Sequence, residues 1–148
     1  MLSIDNSTVA PDQNSHQYGV TIAMKDSSGP FDYHLTHKIL NICKENQILH
    51  ARDVFKYYRC DAASAIEAGN DIRTALVCFA CDASHGYERT HLNSLTELSK
   101  LLELYIKSHA TFERDKLPLS DLTDFPNQPI VLDPTIRPQN IFPETYED

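Results

Sequence analysis

The hydrophobic positions of this 148-residue chain follow strand and helix periods over its first two-thirds and neither period afterwards. In YGVTIAMKD (Tyr18–Asp26), Val20, Ile22 and Met24 alternate with smaller or polar neighbours, the period of two that a strand requires. SSGP then breaks the chain and sets Pro30 near a helix start. Leu35, Ile39, Ile42 and Cys43 come next at spacings of four, three and one, which predicts an amphipathic helix from Asp32 to Gln47. ILHARDVFKYYR (Ile48–Arg59), rich in β-branched and aromatic residues near its end, reads as a second strand. CDAASAIEAGND (Cys60–Asp71) reads as a short helix opened by an acid and stopped at Gly69. TALVCFAC (Thr74–Cys81) is apolar almost throughout, as expected of a strand covered on both faces. Leu92, Leu95, Leu98, Leu102 and Tyr105 recur every three or four residues and predict a helix from His91 to Ser108.

Strand and helix thus alternate three times, which predicts an α/β fold with three layers and a largely parallel sheet. From Lys116 onward no apolar period survives. Pro118, Pro126, Pro129, Pro134, Pro138 and Pro143 fall there without a glycine. Residues 1–110 are therefore expected to form the folded domain, and residues 111–148 an extended or disordered Pro-rich tail.

Composition narrows the partners. Hydrophobic residues make up 41% and charged residues 23%, ordinary globular values. The net charge of −8, with no basic stripe, argues against nucleic acid as a partner. No apolar run approaches the roughly 20 residues of a membrane span. MLSIDNSTVAPDQNS lacks the basic start and apolar core of a signal peptide, so a soluble, cytoplasmic protein is expected.

Four scattered cysteines do not make a disulfide framework. Cys78 and Cys81 form a C-x-x-C that, with His85, superficially suggests zinc. Side chains three apart on a strand point to opposite faces, so buried, reduced thiols are expected. His34 and His37 lie one helical turn apart with no acid at matching spacing, and read as a solvated helix face.

Ligands in open α/β sheets bind outside the carboxyl ends of strands. RCDAAS comes after the second strand and CDASHGYERTH after the third. Asp61, Asp82, His85 and Glu88 are therefore expected to converge on one crevice, with Gly86 letting backbone approach closely. A neutral imidazole held by a neighbouring acceptor is a good zinc ligand. The alternative is that Asp82 and Glu88 cap the next helix and His85 is only a loop histidine. No G-x-S-x-G, H-E-x-x-H or P-loop lysine motif is present. Spacing and composition lead as far as an α/β domain with an acidic, histidine-containing crevice.

The order GVTIAMKDSSGPFDYHLTHKIL, RDVFKYYRCDAASAIEAGNDIRTALV and DASHGYERTH resembles the C-terminal part of the catalytic domain of metallopeptidase family 42, across about residues 1–110. These are co-catalytic zinc or cobalt aminopeptidases of the glutamyl and deblocking type, often dodecameric. The wording is most similar to the bacterial branch associated with the osmoprotectant N-acetylglutaminylglutamine amide. By that resemblance His85 matches the last metal ligand and Asp5 an aspartate ligand at an earlier strand. Asp61 falls on a pocket-shaping aspartate, and Glu88 on the glutamate that comes after the last ligand. Asp82, His91 and Arg59 are left in supporting places, with Arg59-Cys60 standing where the family has Gly-Thr.

The resemblance also implies an early histidine, a bridging aspartate, a ligand glutamate and an adjacent glutamate base, none of which is found here. Nor is the family's inserted dimerisation domain. The resemblance therefore implies the C-terminal part of a metal-dependent aminopeptidase that hydrolyses N-terminal peptide bonds with two divalent ions, zinc or cobalt. The full-length parent is implied to be a homo-oligomer acting on peptides. No catalytic residue is expected in this chain, which alone should bind metal weakly or not at all and be inactive. The alternative is a non-catalytic α/β module that pairs with a peptidase subunit through exposed sheet and tail.

Overall fold

The structure, a computed structural model, describes residues 1–110. In chain order these form β1 (Leu2–Thr8), β2 (Val20–Asp26), β3 (Gly29–Pro30), α1 (Tyr33–Glu45), β4 (His50–Val54), α2 (Asp61–Glu67), β5 (Ala75–Cys81) and α3 (Leu92–Lys107). The expected tail, residues 111–148, lies outside the described residues.

The alternation read from the sequence decides the layers. Val20 and Ile22 of β2, with Ala75 and Val77 of β5, face α1 and α3, whose Leu35, Ile39, Cys43, Leu98 and Leu101 close that core. On the opposite face Ala23, Leu76 and Cys78 pack against Phe55, Cys60 and Ala62 at the start of α2. Each large aliphatic side chain fully buried contributes about 1.5–3 kcal/mol. The face under α1 and α3 holds most of them and so carries most of the stability.

β1 pairs with β5 in parallel, in unbroken register from Leu2↔Ala75 to Thr8↔Cys81. β5 runs antiparallel to β2. The other edge of β2 pairs in parallel with β4, and its last two residues turn back onto β3. The expected α/β fold forms with helices on both faces, and its sheet is mixed, with two parallel pairs flanking the antiparallel β5·β2 pair. Alternation reports which face a side chain takes, not which way its strand runs.

The ends of the elements are set by local chemistry. Asp32 caps α1, its Oδ1 accepting from the Leu35 N–H at 2.8 Å. His91 caps α3, its Nδ1 accepting from the Asn93 N–H at 3.1 Å, so neither Asp82 nor Glu88 caps that helix. Gly69, with φ +86°, takes the left-handed conformation that closes α2. β4 stops at Val54, short of the expected Arg59. The Phe55 N–H still bonds Lys25 O, and the chain then departs from β2. Ser94 of α3 is fully buried. Its Oγ donates to Gly19 O at 2.7 Å and accepts from the Ala80 N–H at 2.9 Å, pinning the helix to two strand ends at once.

All four cysteines are buried free thiols. Burial, with Glu97 adding to it, pushes the Cys43 thiol up to about 12, which leaves it protonated and unreactive. Among the described residues no helix is long and apolar enough to cross a membrane.

Candidate functional site

A cavity of about 640 Å³ opens beside the carboxyl-terminal half of β1, walled by the segments after β1, β4 and β5. Two buried carboxylates build its walls. Asp53 of β4 reaches across to the segment after β1. Its Oδ2 accepts from the Asn14 N–H at 2.8 Å and from the N–H and hydroxyl of Ser15 at 3.1 Å, while Oδ1 accepts from the Val54 N–H. Asp26, at the end of β2, accepts from the Ser28 N–H through Oδ1 and from the Cys60 N–H through Oδ2. One carboxylate fixes residues 14–15 and the other fixes the entry to α2. The Asp26–Ser28 bond is an Asx-turn that D-S-S-G could have announced. Nothing near Asp53 in the sequence announces a bond to residues 38 and 39 positions away.

Asp5 and His85 line this cavity, and so does Arg59. The Asp5 side chain is exposed, and its Oδ1 accepts only the N–H of its own neighbour Asn6, at 2.8 Å. The other carboxylate oxygen has no hydrogen-bond partner among the described residues. His85 sits at φ +61°, a left-handed position uncommon for a side chain with a Cβ. Glu88 holds it there, its Oε1 accepting from the His85 N–H at 2.7 Å. The His85 imidazole itself hydrogen-bonds to nothing among the described residues. Ser84 ties this loop to β1 through Asn6, at 3.4 Å. Asp82 closes the loop from its other end, pairing with the Arg89 guanidinium at 2.5 Å while its own N–H bonds Arg89 O.

Arg59 meets Glu67 through two short hydrogen bonds, 2.8 and 2.7 Å. That contact raises the guanidinium further and draws the Glu67 carboxyl below its usual range. Of the residues singled out from the sequence, the structure brings together Asp5, His85 and Arg59. Asp61 is an exposed first residue of α2 outside the cavity lining, so the expected convergence of four acidic and histidine side chains reduces to His85 alone. Asp82 and Glu88 shape the loop that carries His85, and His91 caps α3 while packing edge-on against Tyr18 at 4.7 Å.

Among the described residues no three His, Cys, Asp or Glu groups lie together as a metal site. His37 stacks instead on Tyr33, at 3.8 Å. Asp5 and His85 line the same cavity, and a carboxylate with an imidazole is a donor pair that suits zinc or cobalt but leaves a coordination shell incomplete.

Residues 1–101 match the M42 glutamyl aminopeptidase family. This chain belongs to the M42 peptidase family. It is 37% identical over 107 residues to YhfE of Bacillus subtilis strain 168, a protein named as an aminopeptidase. The shared region takes in 72% of this chain and 31% of YhfE. Among solved structures, the PhTET1-12s dodecamer superposes with a TM-score of 0.61 at 22% identity, over 70% of this chain and 32% of that one. A TET aminopeptidase from the marine sediment archaeon Thaumarchaeota archaeon SCGC AB-539-E09 gives 0.58 at 16% identity, over 72% and 32%. The Pyrococcus horikoshii TET1 peptidase, which can assemble into a tetrahedron or a large octahedral shell, gives 0.55 at 23% identity, over 70% and 30%. These structures share the α/β fold. The chain spans about a third of the length of each of these relatives. The M42 match contains both Asp5 and His85.

Proposed function

We propose that this chain supplies the C-terminal part of a metal-dependent aminopeptidase catalytic domain, with Asp5 and His85 as its two contributions to a two-metal centre. One observation carries the reading: in an M42 chain, two side chains 80 positions apart reach one cavity, each with an unengaged donor atom. A bound pair of zinc or cobalt ions would polarise the scissile carbonyl and lower the pKa of the attacking water. Asp5 would give a carboxylate oxygen to that centre, and His85 a ring nitrogen.

Glu88 positions His85 by holding the strained backbone at φ +61°. Arg59, fixed by Glu67 at the cavity wall, would orient the peptide, and Asp82 keeps the His85 loop closed through Arg89. Asp61 keeps only a distant part in shaping the pocket, from the exposed start of α2. Proton abstraction belongs to a glutamate base that this chain does not contain. The working enzyme would be a homo-oligomer, in line with the assemblies named for its TET neighbours, acting on peptides. Four buried free thiols favour a reducing, cytoplasmic compartment.

With two donors and no base, the isolated chain should not turn over. Assayed on aminoacyl anilides with added Zn²⁺ or Co²⁺, it is expected to give the rate of buffer and metal alone. Metal-dependent release of the aniline, lost on His85→Ala, would overturn the incompleteness of the site.

A further inference from the structure

The cavity lies over the face of the sheet opposite α1 and α3, because Leu76, Phe55 and Cys60 of that face all line it. Each is at most 6% exposed, so together they make a closed apolar floor. α2 begins beside Cys60 and, at seven residues, covers this face only in part.

Charge decides what such a floor can take. Asp26 and Asp53 are buried in its walls and accept only from N–H and hydroxyl groups among the described residues. Three cations line the same space, Arg52, Lys56 and Arg59. Arg52 stands in register with Ile22, whose side chain packs under α1 and α3, so its guanidinium takes the far face of the sheet. Lys56 is exposed, and an exposed, hydrated ammonium contributes little to an ion pair. Arg59 is the cation fixed at the wall. Both its terminal nitrogens already donate to the Glu67 carboxylate, at 2.8 and 2.7 Å. Glu67 lies outside the cavity lining, so it acts on the cavity through Arg59.

We infer that Glu67 sets the charge preference of this cavity: by pairing with Arg59 it makes the floor of Leu76, Phe55 and Cys60 take an apolar N-terminal side chain and turn away an acidic one. Glu67 is thus a positioning residue for specificity. With Glu67 in place, an incoming carboxylate must compete for the guanidinium while facing Asp26 and Asp53. Without that pairing, Arg59 presents a fork of donors that suits a carboxylate. That the ligand is the first residue of a peptide rests on the aminopeptidase reading, whereas the preference for uncharged over acidic side chains does not.

The test is a titration of the isotopically labelled chain, without metal, with L-leucinamide, L-glutaminamide and L-glutamic acid α-amide. Leucinamide should shift the backbone amide signals of Leu76 and Cys60 with the smallest dissociation constant. Glutamic acid α-amide should bind about fivefold more weakly than its uncharged isostere glutaminamide. Glu67→Gln should erase that difference, tightening glutamic acid α-amide about fivefold while leucinamide stays within about twofold. The double variant with Arg59→Gln should lose the gain, whereas a general loosening of α2 would keep it. Four results would overturn the inference: no shift at Leu76 or Cys60 with leucinamide, glutamic acid α-amide binding the parent chain as tightly as glutaminamide, no gain in Glu67→Gln, or a gain that survives Arg59→Gln. None of them bears on Asp5 and His85 as metal donors, whose failure would show instead as metal binding elsewhere in the chain.

Discussion

Replacing Asp53 by alanine should cost this chain about 3 kcal/mol or more of stability, because hydrogen bonds to a charged acceptor contribute roughly 1.5–3 kcal/mol each. Asp53 is buried and accepts four of them, three from Asn14 and Ser15 and one from Val54. The substitution leaves those donors facing a void with no replacement of matching charge. The damage should also be local. Residues 14 and 15 would keep only the bond from the Asn14 side-chain amide to Arg52 O on β4, so their backbone amides should exchange as fast as those of an open loop. Asp53→Asn, which keeps an acceptor oxygen, should retain part of both effects. Denaturant unfolding and amide exchange check this. Unchanged stability with Asn14 and Ser15 still protected would refute the structural role given to Asp53.

The second large effect is expected at Gly19. A Cβ built there would stand 2.5 Å from Leu49 O and 2.9 Å from Leu49 Cγ. The first of these atoms is backbone, and it already accepts from the Val20 N–H at 2.9 Å. Gly19 O in turn accepts from Ser94. Gly19→Ala therefore cannot be accommodated by moving a side chain alone. It must part β2 from the residue before β4 or push residue 19 away from α3. Overpacking of this kind costs about 1–3 kcal/mol, and a rigid neighbour places the expectation at the upper end. A thermal midpoint equal to that of the parent chain would show that Leu49 yields freely. Here glycine is required by space and not by its freedom of φ.

Asp53 and Gly19 mark the limit of what the sequence discloses. α1 and α3 were readable from Leu35–Ile39–Ile42 and Leu98–Leu102–Tyr105, because a helix buries one face and writes its period locally, although Leu92, which opens the α3 pattern, is exposed. β2 and β5 were readable for the corresponding reasons, alternation in one and a continuous apolar run in the other. β1 was not apparent from pattern, since Leu2 and Ile4 give way to Asp5 and Asn6. It is a strand because β5 pairs with it, from more than 70 residues along the chain. The antiparallel run of β5 against β2 leaves no trace in either strand's alternation.

The site divides in the same way. His85 and Asp5, matched to ligands through resemblance, both line the cavity, whereas Asp61, matched through resemblance to a pocket-shaping aspartate, and Asp82, singled out by composition, lie outside its lining. Asp53 and Ser94 went unmarked because a buried polar side chain is defined by its partners, and theirs include groups 38 to 75 residues away.

Asp5 and His85 are proposed to give donor atoms to one two-metal centre in the cavity they both line. Cobalt(II) added to isotopically labelled chain tests it through paramagnetic broadening of assigned resonances. Weak binding is expected that broadens residues around Asp5 and His85 first and that His85→Ala abolishes. Broadening centred on His34 and His37, or on Cys78 and Cys81, with the Asp5 and His85 signals left sharp, would contradict it.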